Sequence, residues 1–278
     1  MKSKVKVQIP AKINFTLDVF GVENGFHNIN SLVASIGIFD AITLAKRNDD
    51  QIVLVLKGRE IGCPVCDNNA FKTYKLLKET YHLTGATITL EKNIPVGGGM
   101  GGSSADIAGV ILSTEKLFGI DIDRKAVADK LGSDVMYMLG GGWAIISDRG
   151  NTVEKLKVDK TFYINAIDNK VLVKAKEVYK LFDEKQVKTK NSTKKAKQLL
   201  LQDSLEFLSV LSNDLANPAI EIAPVIKESL NQISLANAKF VTGSGSAVVG
   251  VYTDRKVRDK EYKLLKEKNL SVLKTQTL

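Results

Sequence analysis

Apolar residues alternate with polar ones at Val5, Val7 and Ile9, and again at Ile13, Phe15 and Leu17, which is the period of a half-buried strand. The other face of the second run carries Lys12, Asn14 and Thr16. Polar groups aimed one way from a strand form either a solvated face or the wall of a site. Further short strands are expected over 41–45, 52–56, 87–91, 143–147, 162–166, 239–241, 247–251 and 270–273, with a turn at Glu23-Asn24-Gly25. Helical spacing appears elsewhere. Asn68 or Asn69 caps a helix carrying Phe71, Tyr74, Leu77 and Tyr81 on one face. Ser103 and Ser104 are suited to cap a helix with Ile107, Val110, Ile111, Thr114, Leu117 and Phe118, stopped by Gly119. Helices are also expected over 124–131, 174–182 and 254–267. One more starts with Pro218 at its first position and presents Ile222, Val225, Ile226, Leu230 and Ile233. Helices and strands mix without a regular βαβ rhythm, which predicts an α+β fold.

Between the strand at 87–91 and the helix after Ser104 lies Pro95-Val96-Gly97-Gly98-Gly99-Met100-Gly101-Gly102-Ser103-Ser104. A glycine-rich loop feeding a helix N-terminus presents free N–H groups and attracts an anion, most often phosphate. No Gly-Lys-Ser/Thr closes it, so it is not a Walker A loop. Gly97, Gly99 and Gly102 fit the dinucleotide spacing. Pro95 interrupts the approach from the strand, however, and Asp121 and Asp123 follow a helix rather than a second strand. A second small-residue loop, Thr242-Gly243-Ser244-Gly245-Ser246, sits between two short strands near the end of the chain.

Composition narrows the class without choosing a reaction. The 278 residues are 44% hydrophobic and 26% charged, which is ordinary globular composition. No stretch approaches the roughly 18 to 20 apolar residues of a membrane span, and the basic first residues lack the apolar core of a signal peptide. A cytoplasmic protein without membrane partners is expected. The net charge of +9 suits an anionic ligand. Part of that surplus lies in the acid-free segment 185–198, read as a solvated loop or a mobile positive rim. No basic surface interleaved with aromatics is evident, so nucleic acid is not an expected partner. Cys63 and Cys66 form a C-x-x-C pair, but a zinc site needs two further ligands and only His27 and His82 are histidines. They read as two reduced cysteines near Pro64.

Separated segments resemble one family. The glycine stretch is similar to the P-x-x-x-G-L-G-S-S-A phosphate loop of the GHMP kinases, with Pro95, Gly99, Met100, Gly101 and Ser103 at its positions. Thr242 to Ser246 resembles that family's C-terminal glycine motif. Pro10-Ala11-Lys12-Ile13-Asn14, Gly25-Phe26-His27, Ser31-Leu32 and Asp40 resemble one branch, the diphosphocytidyl-methylerythritol kinases. Leu131-Gly132-Ser133-Asp134-Val135 and Asn213-Asp214-Leu215 resemble two further strings of that branch. Phe26 stands where the branch usually has tyrosine, Ser133 where it has alanine, Met136 where proline is common, and Ala175 where threonine is frequent.

The resemblance implies a two-domain GHMP kinase fold. A left-handed βαβ N-terminal, ATP-binding domain would span 1–155 and an α+β C-terminal domain 156–278, with the active site in the cleft. It implies ATP and Mg²⁺, a cytidine diphosphate-linked polyol as substrate, a place in the non-mevalonate route to isoprenoid precursors, and a monomer or homodimer. It assigns catalysis to Lys12 and Asp134. ATP binding falls to Asn68, Pro95, Gly97, Gly98, Gly99, Gly101, Gly102, Ser103 and Ser104, with either serine on the metal side. Substrate binding falls to Asn14, Phe26, His27, Tyr179, Gly243 and Ser244. Two alternatives stay open at this stage: a GHMP kinase for another alcohol, and a non-catalytic nucleotide-binding relative.

Overall fold

Two compact units make up the computed structural model, which describes residues 3–23 and 25–278. Neither unit is one continuous piece of chain. The first comprises Met1–Ala11, Ile38–Val96 and Gly101–Gly140; the second comprises Lys12–Gly37, Gly97–Met100 and Gly141–Leu278. Two long strands contribute to both: β1 (Lys4–Asn14) and β3 (Phe26–Lys46). The expected turn at Glu23-Asn24-Gly25 includes Asn24, which lies outside the described residues.

In the first unit, the Ile38–Lys46 half of β3 pairs antiparallel with β5 (Ala86–Lys92), from Ala41 opposite Glu91 to Lys46 opposite Ala86. β5 pairs in parallel with β4 (Ile52–Gly58), and α1 (Asn69–Tyr81) makes the crossover between them. After β5 come α2 (Gly102–Phe118), α3 (Arg124–Leu131) and α4 (Val135–Gly140). The apolar stripes legible in the sequence converge here. Val5 and Val7, Ile42 and Leu44, Tyr74 and Leu77, Ile88 and Leu90, and Ile107, Val110 and Ile111 form one buried cluster. Gly109 lets α2 lie close against β3, since a Cβ there would meet Ile42 Cγ1 at 2.6 Å. Asn68 caps α1 by accepting the Ala70 N–H, and Gly119 ends α2 at φ 68°.

In the second unit, β2 (Asp18–Glu23) and β6 (Trp143–Asp148) flank the first half of β3, and β7 (Thr152–Leu156) pairs with β6. A four-stranded antiparallel sheet follows. It is built from β8 (Tyr163–Ile167), β9 (Ala238–Val241), β10 (Val248–Tyr252) and β11 (Val272–Gln276), in the order β11-β8-β10-β9. Around it lie α5 (Ala175–Glu184), α6 (Thr193–Leu201), α7 (Ala216–Ile222), α8 (Val225–Gln232) and α9 (Arg255–Glu267), the last capped by Asp254. Phe15, Trp143, Phe162, Phe207 and Phe240 pack ring against ring, with centroids 4.8–6.3 Å apart.

Several expectations need correction. The first strand is not half-buried at its end: Lys12, Asn14 and Thr16 are as buried as Ile13 and Phe15. The strand also stops at Asn14, so Leu17 makes only an isolated bridge, to Asn213. Ser103 and Ser104 do not cap α2. Gly101 does, at φ 75° and without a side-chain hydrogen bond. The single helix after Pro218 is two, because Pro224 cannot donate an N–H and disfavours helical geometry at Ala223, which sits at φ −134°. Segment 185–198 is no free loop. Its second half is α6, and the carboxylate of Asp18 accepts the N–H groups of Ser192 and Thr193, each at 2.9 Å.

Candidate active site

The end of β1 supplies a chain of buried polar contacts in the second unit. Lys12 Nζ donates to Asn14 Oδ1 at 2.6 Å, and Asn14 Nδ2 donates to Ser31 Oγ at 2.8 Å. Ser31 Oγ donates to the Thr16 carbonyl, and Thr16 Oγ1 accepts the Leu32 N–H at 2.9 Å. Side chains two apart on a strand share a face, so Asn14 is within reach of the Lys12 ammonium and holds it in one place. Buried polar groups need such partners, because an unmet one costs about 1–3 kcal/mol.

The same strand is tied to both glycine loops. The Lys12 N–H donates to the Met100 carbonyl at 3.0 Å, and the Asn14 N–H donates to Thr242 Oγ1 at 3.0 Å. The loops in turn meet backbone to backbone. Ser246 N–H donates to Gly97 O at 3.1 Å and Ala247 N–H to Gly98 O at 3.3 Å. A Cβ on Gly99 would lie 2.2 Å from the Thr242 carbonyl oxygen, and one on Gly243 would lie 2.7 Å from Gly99 O. Gly99 also has φ 71°. Only glycine satisfies both demands there. Asn213 fixes the C-terminal loop by donating to Val241 O at 2.7 Å and Gly243 O at 2.8 Å. Gly243 is therefore a packing position against Gly99, while Ser244 is the half-exposed residue of that loop.

In the first unit the N-terminal ends of two helices face each other. Asn69 Nδ2, at the start of α1, donates to Ser103 Oγ in the first turn of α2. Ser103 is exposed and Ser104 half-exposed. The ideal Cβ of Gly132 lies 3.6 Å from Ser104 Oγ, so the turn that carries Asp134 abuts the first turn of α2. Asp134 opens α4, its carbonyl accepting the Met138 N–H at 3.0 Å. Asn68 is buried and spends its side chain on capping α1. Asn69, which sequence reasoning weighed only as a cap, is the asparagine on the serine.

No sequence motif marks Lys92 and Asp106 as a pair. Lys92 Nζ donates to Asp40 Oδ2 at 2.6 Å, to Asp106 Oδ2 at 2.8 Å and to the Gly102 carbonyl at 2.8 Å, all buried. Asp40 Oδ1 accepts the N–H groups of Asn93 at 2.6 Å and Ile94 at 2.9 Å. One lysine thus fastens the first turn of α2 to the end of β5 and to β3. Burial pushes the Asp106 carboxyl up to about 7; Lys92 opposes that shift and the nearby charge of Asp40 adds to it. The only signal in the sequence was an acid, Asp106, inside the otherwise small and apolar run Ala105-Asp106-Ile107-Ala108.

Of the expected substrate residues, His27 and Tyr179 come together: the rings stack with centroids 4.8 Å apart and planes at 23°. Phe26 is 49% exposed, and the Arg149 guanidinium carbon lies 3.7 Å from its ring centroid, a cation–π contact that sequence reasoning did not anticipate. Lys12, Asn14, Gly97, Gly98, Gly99, Phe26, His27, Tyr179, Gly243 and Ser244 belong to the second unit; Asn68, Pro95, Gly101, Gly102, Ser103, Ser104 and Asp134 belong to the first. Among the described residues no cluster of three or more histidine, cysteine or acidic side chains could hold a metal, and Cys63 and Cys66 are free.

Known proteins resemble this chain along nearly its whole length. The GHMP kinases N terminal domain family matches residues 68–143. A 4-diphosphocytidyl-2-C-methyl-D-erythritol kinase of Clostridium botulinum (strain Alaska E43 / Type E3) is 34% identical over 278 residues, covering 96% of this chain and 98% of that protein. One from Macrococcus caseolyticus is 31% identical, over 87% of this chain and 88% of its own. A crystal structure of 4-(cytidine 5'-diphospho)-2C-methyl-D-erythritol kinase superposes with a TM-score of 0.82 at 24% identity, over 99% of this chain and 100% of that one. An L. major mevalonate kinase in complex with R-mevalonate superposes at 0.76 with 13% identity, over 100% and 97% of the two chains. The α+β GHMP kinase fold expected from the motifs is the fold observed. No helix among the described residues is long and apolar enough to cross a membrane.

Proposed function

The chain belongs to the 4-diphosphocytidyl-2-C-methyl-D-erythritol kinase family, and from that premise we propose that it transfers the γ-phosphoryl group of ATP to a hydroxyl of 4-diphosphocytidyl-2-C-methyl-D-erythritol, yielding ADP and a phosphate monoester on the route to isoprenoid precursors. One observation carries the reading: the Lys12 N–H is bonded to Met100 in the glycine loop, so the buried lysine is built into the phosphate cradle rather than standing on a solvated strand.

Phosphoryl transfer asks a protein mainly to position groups and offset charge. The free N–H groups from Gly101 to Ser104, at the positive end of α2, hold phosphate oxygens. Lys12, fixed by Asn14, offsets negative charge as the phosphoryl group moves. Asp134 accepts the proton of the attacking hydroxyl. Phe26 offers a flat apolar face to the cytosine ring, and His27 and Tyr179 form the other aromatic part of the substrate site. The donor set suits Mg²⁺ entering with the nucleotide, since Mg²⁺ takes few protein ligands and the first turn of α2 presents the hydroxyls of Ser103 and Ser104 rather than a cage of acids. Held there by Ser103 or Ser104 and the phosphates, Mg²⁺ would supply positive charge against the phosphate oxygens.

The test is ADP release across a panel of alcohols. Turnover is expected with the cytidine diphosphate-linked methylerythritol and not with homoserine or mevalonate. Turnover of another alcohol with no dependence on the cytidine group overturns the substrate while leaving a kinase.

A further inference from the structure

His27 is clamped by one helix. Tyr179 covers its ring face at 4.8 Å, Phe182 meets it edge-on at 5.9 Å with planes at 87°, and Asp183 Oδ1 lies 2.8 Å from Nε2. All three come from α5, at positions one and three or four residues apart. The His27 side chain is 12% exposed, so the ring has little room to turn. A carboxylate accepts hydrogen bonds and does not donate them, so the proton of this pair sits on His27 Nε2. In the neutral ring that leaves Nδ1 with a lone pair, as an acceptor. No hydrogen bond to His27 Nδ1 is present among the described residues.

We propose that Asp183 is a positioning residue that fixes the tautomer of His27, so that Nδ1 accepts from an exocyclic amino group and thereby selects a cytosine over a uracil ring. The proposal rests on the reading above that His27 faces the base. Cytosine presents an amino donor at the position where uracil presents a carbonyl acceptor. Two acceptors face each other in the uracil case, and a buried mismatch of that kind discriminates strongly. Asp183 itself touches no substrate in this arrangement; it acts through His27.

Two measurements test it. His27 and His82 are the only histidines, so a nitrogen-15 NMR spectrum of the whole chain, with His82→Gln for assignment, reads the His27 tautomer directly. The expected result is a protonated Nε2 and an unprotonated Nδ1 in the wild type, and a mixed tautomer in Asp183→Ala. A wild-type Nδ1 that carries the proton overturns the proposal. Kinetics supply the second measurement. Asp183→Ala is expected to raise KM for the cytidine substrate about tenfold, with kcat and KM for ATP within twofold, and to reduce the preference over the uridine analogue by a similar factor. Asp183→Asn keeps an oxygen acceptor and is expected to restore most of that preference. An unchanged cytidine-to-uridine ratio in Asp183→Ala, or an equal loss with both nucleotides, overturns the proposal. If the wild type turns over neither substrate, the functional reading fails and takes the base-selection claim with it; the tautomer measurement still decides whether Asp183 sets His27.

Discussion

Lys12 shows what burial does to a residue that a strand pattern alone would leave in water. Its ammonium is held by Asn14 and its N–H by Met100, so its loss removes a preorganised charge and not a surface group. Lys12→Ala and Asp134→Ala are each expected to lower kcat by at least about 10²-fold with the fold retained, measured by coupled ADP release alongside circular dichroism. Gly99→Ala tests a different demand. Its Cβ would collide with Thr242 O at φ 71°, so a stability loss of at least about 2 kcal/mol and weakened nucleotide binding are expected, read by denaturant titration and by calorimetry. The types and spacing of Lys12, Asn14 and Asp134 were legible in the sequence. The environments of Lys12 and Asn14 were not, because Thr242, Ser31 and Met100 reach them from segments a linear pattern does not connect. Arg149 over Phe26 is hidden for the same reason: a lone arginine in a turn carries no periodic signal.

The first turn of α2 is held by an ion cluster instead of a serine cap. Lys92→Met would leave Asp40 and Asp106 buried without their cation. A loss of about 3–5 kcal/mol is expected, with a raised KM for ATP as the turn loosens. The cluster also predicts a pH dependence. The Asp106 pKa is raised on folding, so the folded state binds the extra proton between the unfolded carboxyl value and about 7. Its contribution to stability is greatest below that window and declines as pH rises through it. Between pH 4 and 7 the stability of Asp106→Asn relative to wild type should therefore rise, by at least about 1 kcal/mol in paired denaturant titrations. Helix existence was legible where an apolar stripe met a capping residue, as at Asn68 and Gly119. It was not legible at α6. That helix is short and basic, and its N-terminus is satisfied by Asp18 from a distant strand.

At the scale of the molecule, Trp143 is the single tryptophan and lies buried in the aromatic cluster of the second unit. Phe15→Ala opens that cluster and should cost about 3–5 kcal/mol, seen as an earlier fluorescence transition. The α+β class was legible from the mixed periodicities and the family from its motifs. The way the chain is shared between the two units was not, because hydrophobic patterning records which face of an element is buried and not which segment buries it. That sharing has a consequence for synthesis. Every segment of the first unit lies within the first 140 residues, whereas Lys12–Gly37 and Gly97–Met100 belong with Gly141–Leu278. On the ribosome, Gly97 and Gly98 emerge long before Ser246 and Ala247, the residues that bond them. The Gly97–Met100 half of the glycine loop is therefore among the last parts fixed, and a nascent chain that stops before β9 should carry the whole motif with that half untied.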